Sequence, residues 1–216
     1  MKISFVVPAY NEEDRIGDCL ESIQRELART PTEAEIIVVN NASTDRTKEI
    51  AQRYAGVRVV DEMQKGLVRA RQAGYLVSSG ELVANVDSDV MLTPGWLGRV
   101  LTAFEKDKNL VCLSGPFIMH DVSSFLRFWV SFWYGISYVL HAVLHGLFGA
   151  GAVAQGGNYV LRRSALEAIG GFDTSIEFYG EDTDIARRIA KVGKVVWTFH
   201  LPVYSSGRRL THEGVF

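Results

Sequence analysis

Two acidic clusters carry the first chemistry legible in this chain. In "VANVDSDVML", Asp87 and Asp89 flank Ser88 directly after an apolar run. Carboxylates at i and i+2 of an extended segment project from the same side. Two like charges held that close raise each other's pKa unless a cation neutralises them. A few hard oxygen ligands on a loop suit Mg2+ or Mn2+, with a substrate phosphate completing the shell. The plainer alternative is that one acid caps the next turn and the other is solvated. The second cluster is Glu181, Asp182 and Asp184 in "YGEDTDIA". On residue type alone these are acids of a first helical turn, favoured there by about 0.3–1 kcal/mol each through the macrodipole. Arg208 and Arg209 form a basic pair near the end. Guanidinium groups bind phosphate in bidentate fashion, and the alternative is a solvated tail.

Those residues need elements to hold them. Ile3–Val7 is a short apolar run ending at Pro8, the pattern of a buried strand. Glu35–Val39, Val57–Val60 and Glu81–Val86 read as further strands. Between them, Glu12–Arg29 places Ile16, Cys19, Leu20, Ile23 and Leu27 at helical spacing. Ser43 or Thr44 can cap a helix reaching about Tyr54. Lys65–Ser78 sets Leu67, Ala70, Ala73, Gly74 and Val77 on one helical face. Thr93 and Pro94 open another helix, with proline in its first turn. Further on, Tyr159–Leu161 and Lys194–Thr198 read as strands, and Arg163–Ile169 and Glu181–Val192 as helices. The alternation predicts a parallel sheet with helices on both faces, whose ligands bind outside the carboxyl ends of the strands. Pro8 to Glu12, Asn40 to Asp45, and Asp87 to Asp89 all follow strands, so they are expected on one edge of that sheet.

Composition narrows the classes. The chain has 216 residues, 47% of them apolar and 22% charged, enough for a sizeable core. A net charge of −2 gives no footing for general nucleic-acid binding. The two cysteines, Cys19 and Cys112, lie far apart, which suits a reducing compartment and argues against a disulfide scaffold. The opening apolar run is broken by Pro8 and followed by acids, unlike a signal peptide, so a cytoplasmic chain is expected.

Five stretches in order carry a resemblance: "VVPAYNEED", "IIVVNNASTDRTKEIA", "KGLVRARQAGYLVSSGELVANVDSDV", "GGNYVLRRSALEAIGGFDTSIEFYGEDTDIARRIAKVGKV" and "SSGRR". Over nearly its whole length the chain resembles a glycosyltransferase of family 2. The resemblance implies an α/β protein with the GT-A fold: a Rossmann-like mixed sheet, mainly parallel, flanked by helices, here with an inserted aromatic-rich helical segment. It implies a nucleotide-diphosphate-sugar donor, a Mg or Mn cation, and transfer with inversion to an acceptor sugar or lipid. By position, Asp89 matches the principal metal ligand, and Asp87 an acid that helps hold ribose or metal. Pro8, Tyr10 and Glu12 match the nucleoside pocket, and Lys65 and Arg71 match contacts to base or phosphate. Asp182 matches the family's general base. Arg208 and Arg209 match its basic motif and could offset charge on a leaving diphosphate. The chain departs from the family at Asn40 and Asn41, where acids are common. Asparagine carries no charge and can donate as well as accept, which leaves the base open. UDP is expected first, with GDP or deoxythymidine diphosphate as alternatives. Gln72 also departs, where asparagine is common.

One domain over residues 1–216 is expected, with a nucleotide-sugar half (1–115), a hydrophobic helical insertion (116–156) and an acceptor and catalytic part (157–216). The insertion holds Phe125, Phe128, Trp129, Phe132, Trp133, Tyr134 and Tyr138. Its stretch Phe125–Phe148 nearly qualifies as a bilayer span, for which about 20 apolar residues suffice. A single crossing would separate Asp89 from Asp182, so an interfacial helix, a re-entrant hairpin, a dimer surface or a core helix is expected instead. Tryptophan and tyrosine favour the lipid–water boundary, which points to peripheral contact at the inner face of the cell membrane. Two other classes compete: a sugar-nucleotide-binding scaffold that lost catalysis, and a nucleotidyltransferase. The first would show erosion of Asp87, Asp89 or Asp182. The second would want a glycine-rich basic loop where "PAYNEEDR" is acidic.

Overall fold

The computed structural model describes residues 1–123, 125, 128, 129, 132–136, 153–176 and 180–207. The elements in chain order are β1 (Ile3–Ala9), α1 (Ile16–Arg29), β2 (Ala34–Asn40), α2 (Thr47–Gln52), β3 (Val57–Asp61), α3 (Leu67–Val77), β4 (Leu82–Val86), β5 (Val90–Leu92), α4 (Trp96–Lys106), β6 (Leu110–Ser114), β7 (Phe117–Met119), β8 (Asn158–Arg162), α5 (Arg163–Ala168), α6 (Glu181–Ile189), β9 (Lys194–Trp197) and β10 (Val203–Ser205). Seven strands form the main sheet in the order β3-β2-β1-β4-β8-β6-β9. β3, β2, β1 and β4 run parallel, β8 is antiparallel to both β4 and β6, and β9 is parallel to β6. This is the mainly parallel mixed sheet that the resemblance implies. A small second sheet, β5-β10-β7, lies beyond the acidic turn.

Alternation along the strands divides the core in two. Ile3, Phe5, Val7 and Ala9 of β1 pack with Ile16, Leu20 and Ile23 of α1 and Trp96, Leu97 and Val100 of α4. Val6, Ile37, Val39 and Val83 meet the other layer, Val68 and Tyr75 of α3, Leu166 of α5 and Ile185 and Ile189 of α6. Helix α3 lies unusually close to the sheet. A Cβ on Gly74 would stand 2.3 Å from a Val6 methyl and 3.0 Å from a Val39 methyl.

Three local differences from the expected elements have physical causes. β1 continues through Pro8 to Ala9, because its pairing with β2 extends to Asn40 while its pairing with β4 has already stopped at Val6. α1 starts at Ile16, not Glu12, because Asn11 to Glu13 are held by the loop after β2. The buried face of α3 comprises Val68, Ala70, Arg71, Gly74 and Tyr75, with Leu67 turned outward. Arg71, a charged residue, faces inward because two acids await it there.

Candidate active site

The chain leaves β1 toward β2 and β3 on one side, and β4 pairs on the other side of β1. The crevice at this switch is where open α/β sheets bind ligands. The loops after β1 and β2 are locked together. Glu12 N–H donates to Thr47 Oγ1 at 2.7 Å, Glu13 N–H to Asp45 at 3.1 Å, and Thr44 N–H to Asn11 Oδ1 at 2.8 Å. Asp45, rather than Ser43 or Thr44, secures the start of α2, accepting from Thr47 N–H at 3.0 Å and its hydroxyl at 2.6 Å. Burial would raise the Asp45 pKa, but these hydrogen bonds win and hold it below the ordinary carboxylate range.

A cleft of about 440 Å³ opens at this edge. Pro8, Tyr10, Glu12, Asn41, Lys65, Asp87 and Asp89 line it, so the structure brings together most of the residues matched to the donor. Ser88, Gly66 and Leu67, which residue chemistry alone did not single out, line it as well. Lys65 donates to the Tyr10 hydroxyl at 2.7 Å and lies 4.4 Å from the ring centroid. Asn41 is buried and braces the loop that carries Lys65. Its amide nitrogen donates to the carbonyls of Glu62 at 3.0 Å and Gln64 at 2.8 Å, and its oxygen accepts from Gly66 N–H at 2.8 Å. Asn40 is not on the cleft wall. Its amide donates to Asp61 and accepts from Ser43 N–H. Arg208 and Arg209 lie outside the described residues, which reach Gly207 through a tether of Ser206 and Gly207 to Asp121.

The two acids of the opening cluster have different surroundings. Asp87 Oδ1 accepts from Arg71 at 3.0 Å. Its Oδ2 faces Gly157, which sits at φ +75°; a Cβ there would stand 2.3 Å from that oxygen. No side chain larger than hydrogen fits beside Asp87 in this place. Asp89 lies on the cleft wall. Burial pushes the Cys19 thiol well above its usual pKa, and the fields of Asp89 and Asp87 push it the same way. Among the described residues no three His, Cys, Asp or Glu side chains converge as a complete metal cage. Asp89 and Asp87 on the cleft wall are a sparse oxygen donor set of the kind that would suit Mg2+ or Mn2+ completed by phosphate.

Asp182 stands just across the Gly156–Gly157 turn. A Cβ on Gly156 would lie 3.5 Å from Asp182 Oδ2, 3.7 Å from Glu181 Oε1 and 3.9 Å from an Arg71 nitrogen. Asp182 Oδ1 accepts from Thr183 N–H at 2.8 Å. Asp184 turns to Arg187 and Arg188, a structural role. Gln72 accepts from Phe172 N–H at 2.9 Å and so fixes the turn after α5.

The aromatic segment is helical at residues 132–136, and beside the site it presents Phe125, Phe128, Trp129, Phe132 and Trp133 outward. Tyr134 anchors it, donating to Gln155 at 3.2 Å and stacking on Trp197. Among the described residues no helix is long and apolar enough to cross a membrane.

Comparison with known proteins follows the same lines. A family model described as Glycosyl transferase family 2 matches residues 4–170. The uncharacterized glycosyltransferase YibD of Escherichia coli (strain K12) is 37% identical over 114 residues, covering 50% of this chain and 32% of that protein. The chain thus matches about a third of the length of such curated relatives. The mannosyltransferase PcManGT from Pyrobaculum calidifontis, solved in complex with GDP-Man and Mn2+, superposes with a TM-score of 0.75 at 22% identity. That match covers 94% of this chain and 56% of the other. Glucosyl-3-phosphoglycerate synthase from Mycobacterium tuberculosis, solved with Mn2+, UDP-glucose and phosphoglyceric acid, superposes with a TM-score of 0.63 at 21% identity. It is covered to 68%, against 93% of this chain. At these identities the two structures speak to the fold.

Proposed function

This chain belongs to the family 2 glycosyl transferases, and we propose that it transfers a sugar from a nucleotide-diphosphate donor to an acceptor hydroxyl with inversion. The observation that carries the reading is the placement of Asp182 one glycine turn away from the Asp87–Asp89 cleft. The donor lies in the cleft, with Pro8, Tyr10, Glu12 and Lys65 around the nucleotide. Asp89, with Asp87 beside it, would hold a Mg2+ or Mn2+ ion, which would supply Lewis-acid stabilisation of charge on the diphosphate. Asp182 accepts the proton of the attacking hydroxyl, a contribution of about 10²–10⁴ in rate. The new bond joins acceptor oxygen to the anomeric carbon as the bond from that carbon to the diphosphate breaks. Attack from the opposite face inverts the centre. Relatives of this fold were solved with GDP-mannose and with UDP-glucose, so both nucleotides are candidates here.

Calorimetric titration with UDP, GDP and deoxythymidine diphosphate, with and without Mn2+, tests the donor reading. At least one should bind, and bind more tightly with the metal. Failure of all three in both conditions would overturn it.

The exposed aromatic side chains beside Tyr134 favour a second element of the reading, peripheral contact with a lipid surface and a lipid-borne acceptor. The acceptor is then presented from the same flank as Asp182. The protein should float with liposomes in a density gradient, and a Trp129→Ser, Trp133→Ser double variant should lose most of that binding. A wild-type protein left entirely at the bottom of the gradient would remove the membrane from the scheme.

A further inference from the structure

Arg71 was matched to a contact with base or phosphate, yet it is fully buried and does not line the cleft. Its two terminal nitrogens point to different elements. One donates to Asp87 at 3.0 Å, in the turn after β4, and the other to Glu181 at 3.1 Å, the first residue of α6. Its guanidinium carbon lies 5.4 Å from the centroid of the Tyr159 ring on β8. Both acids are mostly shielded, with side chains 25% and 16% exposed. A buried cation depends on its partners, and the rigid fork of a guanidinium spans two carboxylates that lie on different elements. Gly180, which precedes α6, has no side chain to cap the helix and stands at φ +92°. The first turn of α6 is therefore tethered from outside, by Glu181 on Arg71.

We propose that Arg71 is a positioning residue that couples the two flanks of the site, so that the orientation of Asp87 and the seating of the helix bearing Asp182 depend on each other. It acts through Glu181 and Asp87 and touches no substrate. If Asp87 loses its charge, the guanidinium is left with one acid, and its hold on the start of α6 slackens. If Glu181 loses its charge, the turn from Asp87 to Val90 slackens in the same way. Coupling free energies are reciprocal, so the two effects should match in size. The meaning of the clamp rests on the glycosyltransferase reading, but its existence does not.

Hydrogen–deuterium exchange on the full chain without ligand tests it. Asp87→Asn should speed exchange of the amides of α6 by at least about fivefold, and Glu181→Gln should do the same for residues 88–90. The double variant should be no faster than the faster single, since both changes break one network. Arg71→Lys keeps the charge but loses the fixed fork between the two acids, and should loosen at least one flank. Amides of α1 serve as the control, because a variant that unfolds globally accelerates them too; any such variant is set aside and the remaining ones decide. If Asp87→Asn and Glu181→Gln each change exchange only around their own residue, or add fully in the double variant, the coupling is wrong. Because no nucleotide enters the experiment, that failure would leave the donor reading standing, and a failed nucleotide titration would leave the clamp standing.

Discussion

Asp182→Asn should lower turnover by about 10²–10⁴-fold while leaving nucleotide affinity within about twofold. The substitution is isosteric and its consequences are confined. The amide oxygen can still accept from Thr183 N–H, so the first turn of α6 keeps that bond. What disappears is the basic oxygen facing Gly156. Asp182 does not line the donor cleft, so donor binding has no reason to change. The measurement pairs steady-state turnover with calorimetric nucleotide affinity. A variant that retains most of its turnover would place the base elsewhere. Glu181, the nearest carboxylate, is already tied to Arg71.

Glu26→Ala should destabilise the fold by about 3 kcal/mol and lower the melting temperature by about 6–12 °C, with little effect on nucleotide affinity. Glu26 is a buried acid on α1, facing the start of α4. Its two oxygens accept from Gly95 N–H at 2.9 Å and Leu97 N–H at 3.0 Å, and one also accepts from Arg29 at 3.1 Å. Gly95 precedes α4 and has no side chain with which to cap it. Glu26 is therefore the cap of another helix, supplied from a distance. Alanine would leave two orphaned N–H groups, one of them fully buried. Glu26→Gln keeps an accepting oxygen and should cost clearly less. Thermal unfolding of the two variants beside wild type checks the order, and equal melting of all three would show that the cap carries no weight.

Much of this was legible because strands advertise themselves through apolar runs, and β-α alternation fixes where their ends must lie. Pro8, Tyr10, Glu12, Asp87 and Asp89 could be placed on one edge from the strand pattern alone. What stayed hidden was which way a charged side chain turns. The apolar face read for α3 left Arg71 out, because periodicity counts apolar residues and is blind to ion pairs. Its partners lie 16 and 110 residues away in sequence. Glu181 was hidden for the same reason, since an acid at a helix start has a sufficient local explanation. The glycine at 157 was visible in "GGNYV", but its reason, the oxygen of Asp87 against it, is purely tertiary.

Asn41 has a consequence for how such a pocket can change over time. Its amide gives two hydrogens to carbonyls and takes one from an N–H of the same loop. A carboxylate in its place would face two carbonyl oxygens with no proton to offer. Residue 41 and the course of residues 62–66 are therefore matched to each other, and changing one alone would leave the other mismatched. Exchanging this wall of the cleft is a matter of grafting the loop and its asparagine as one cassette.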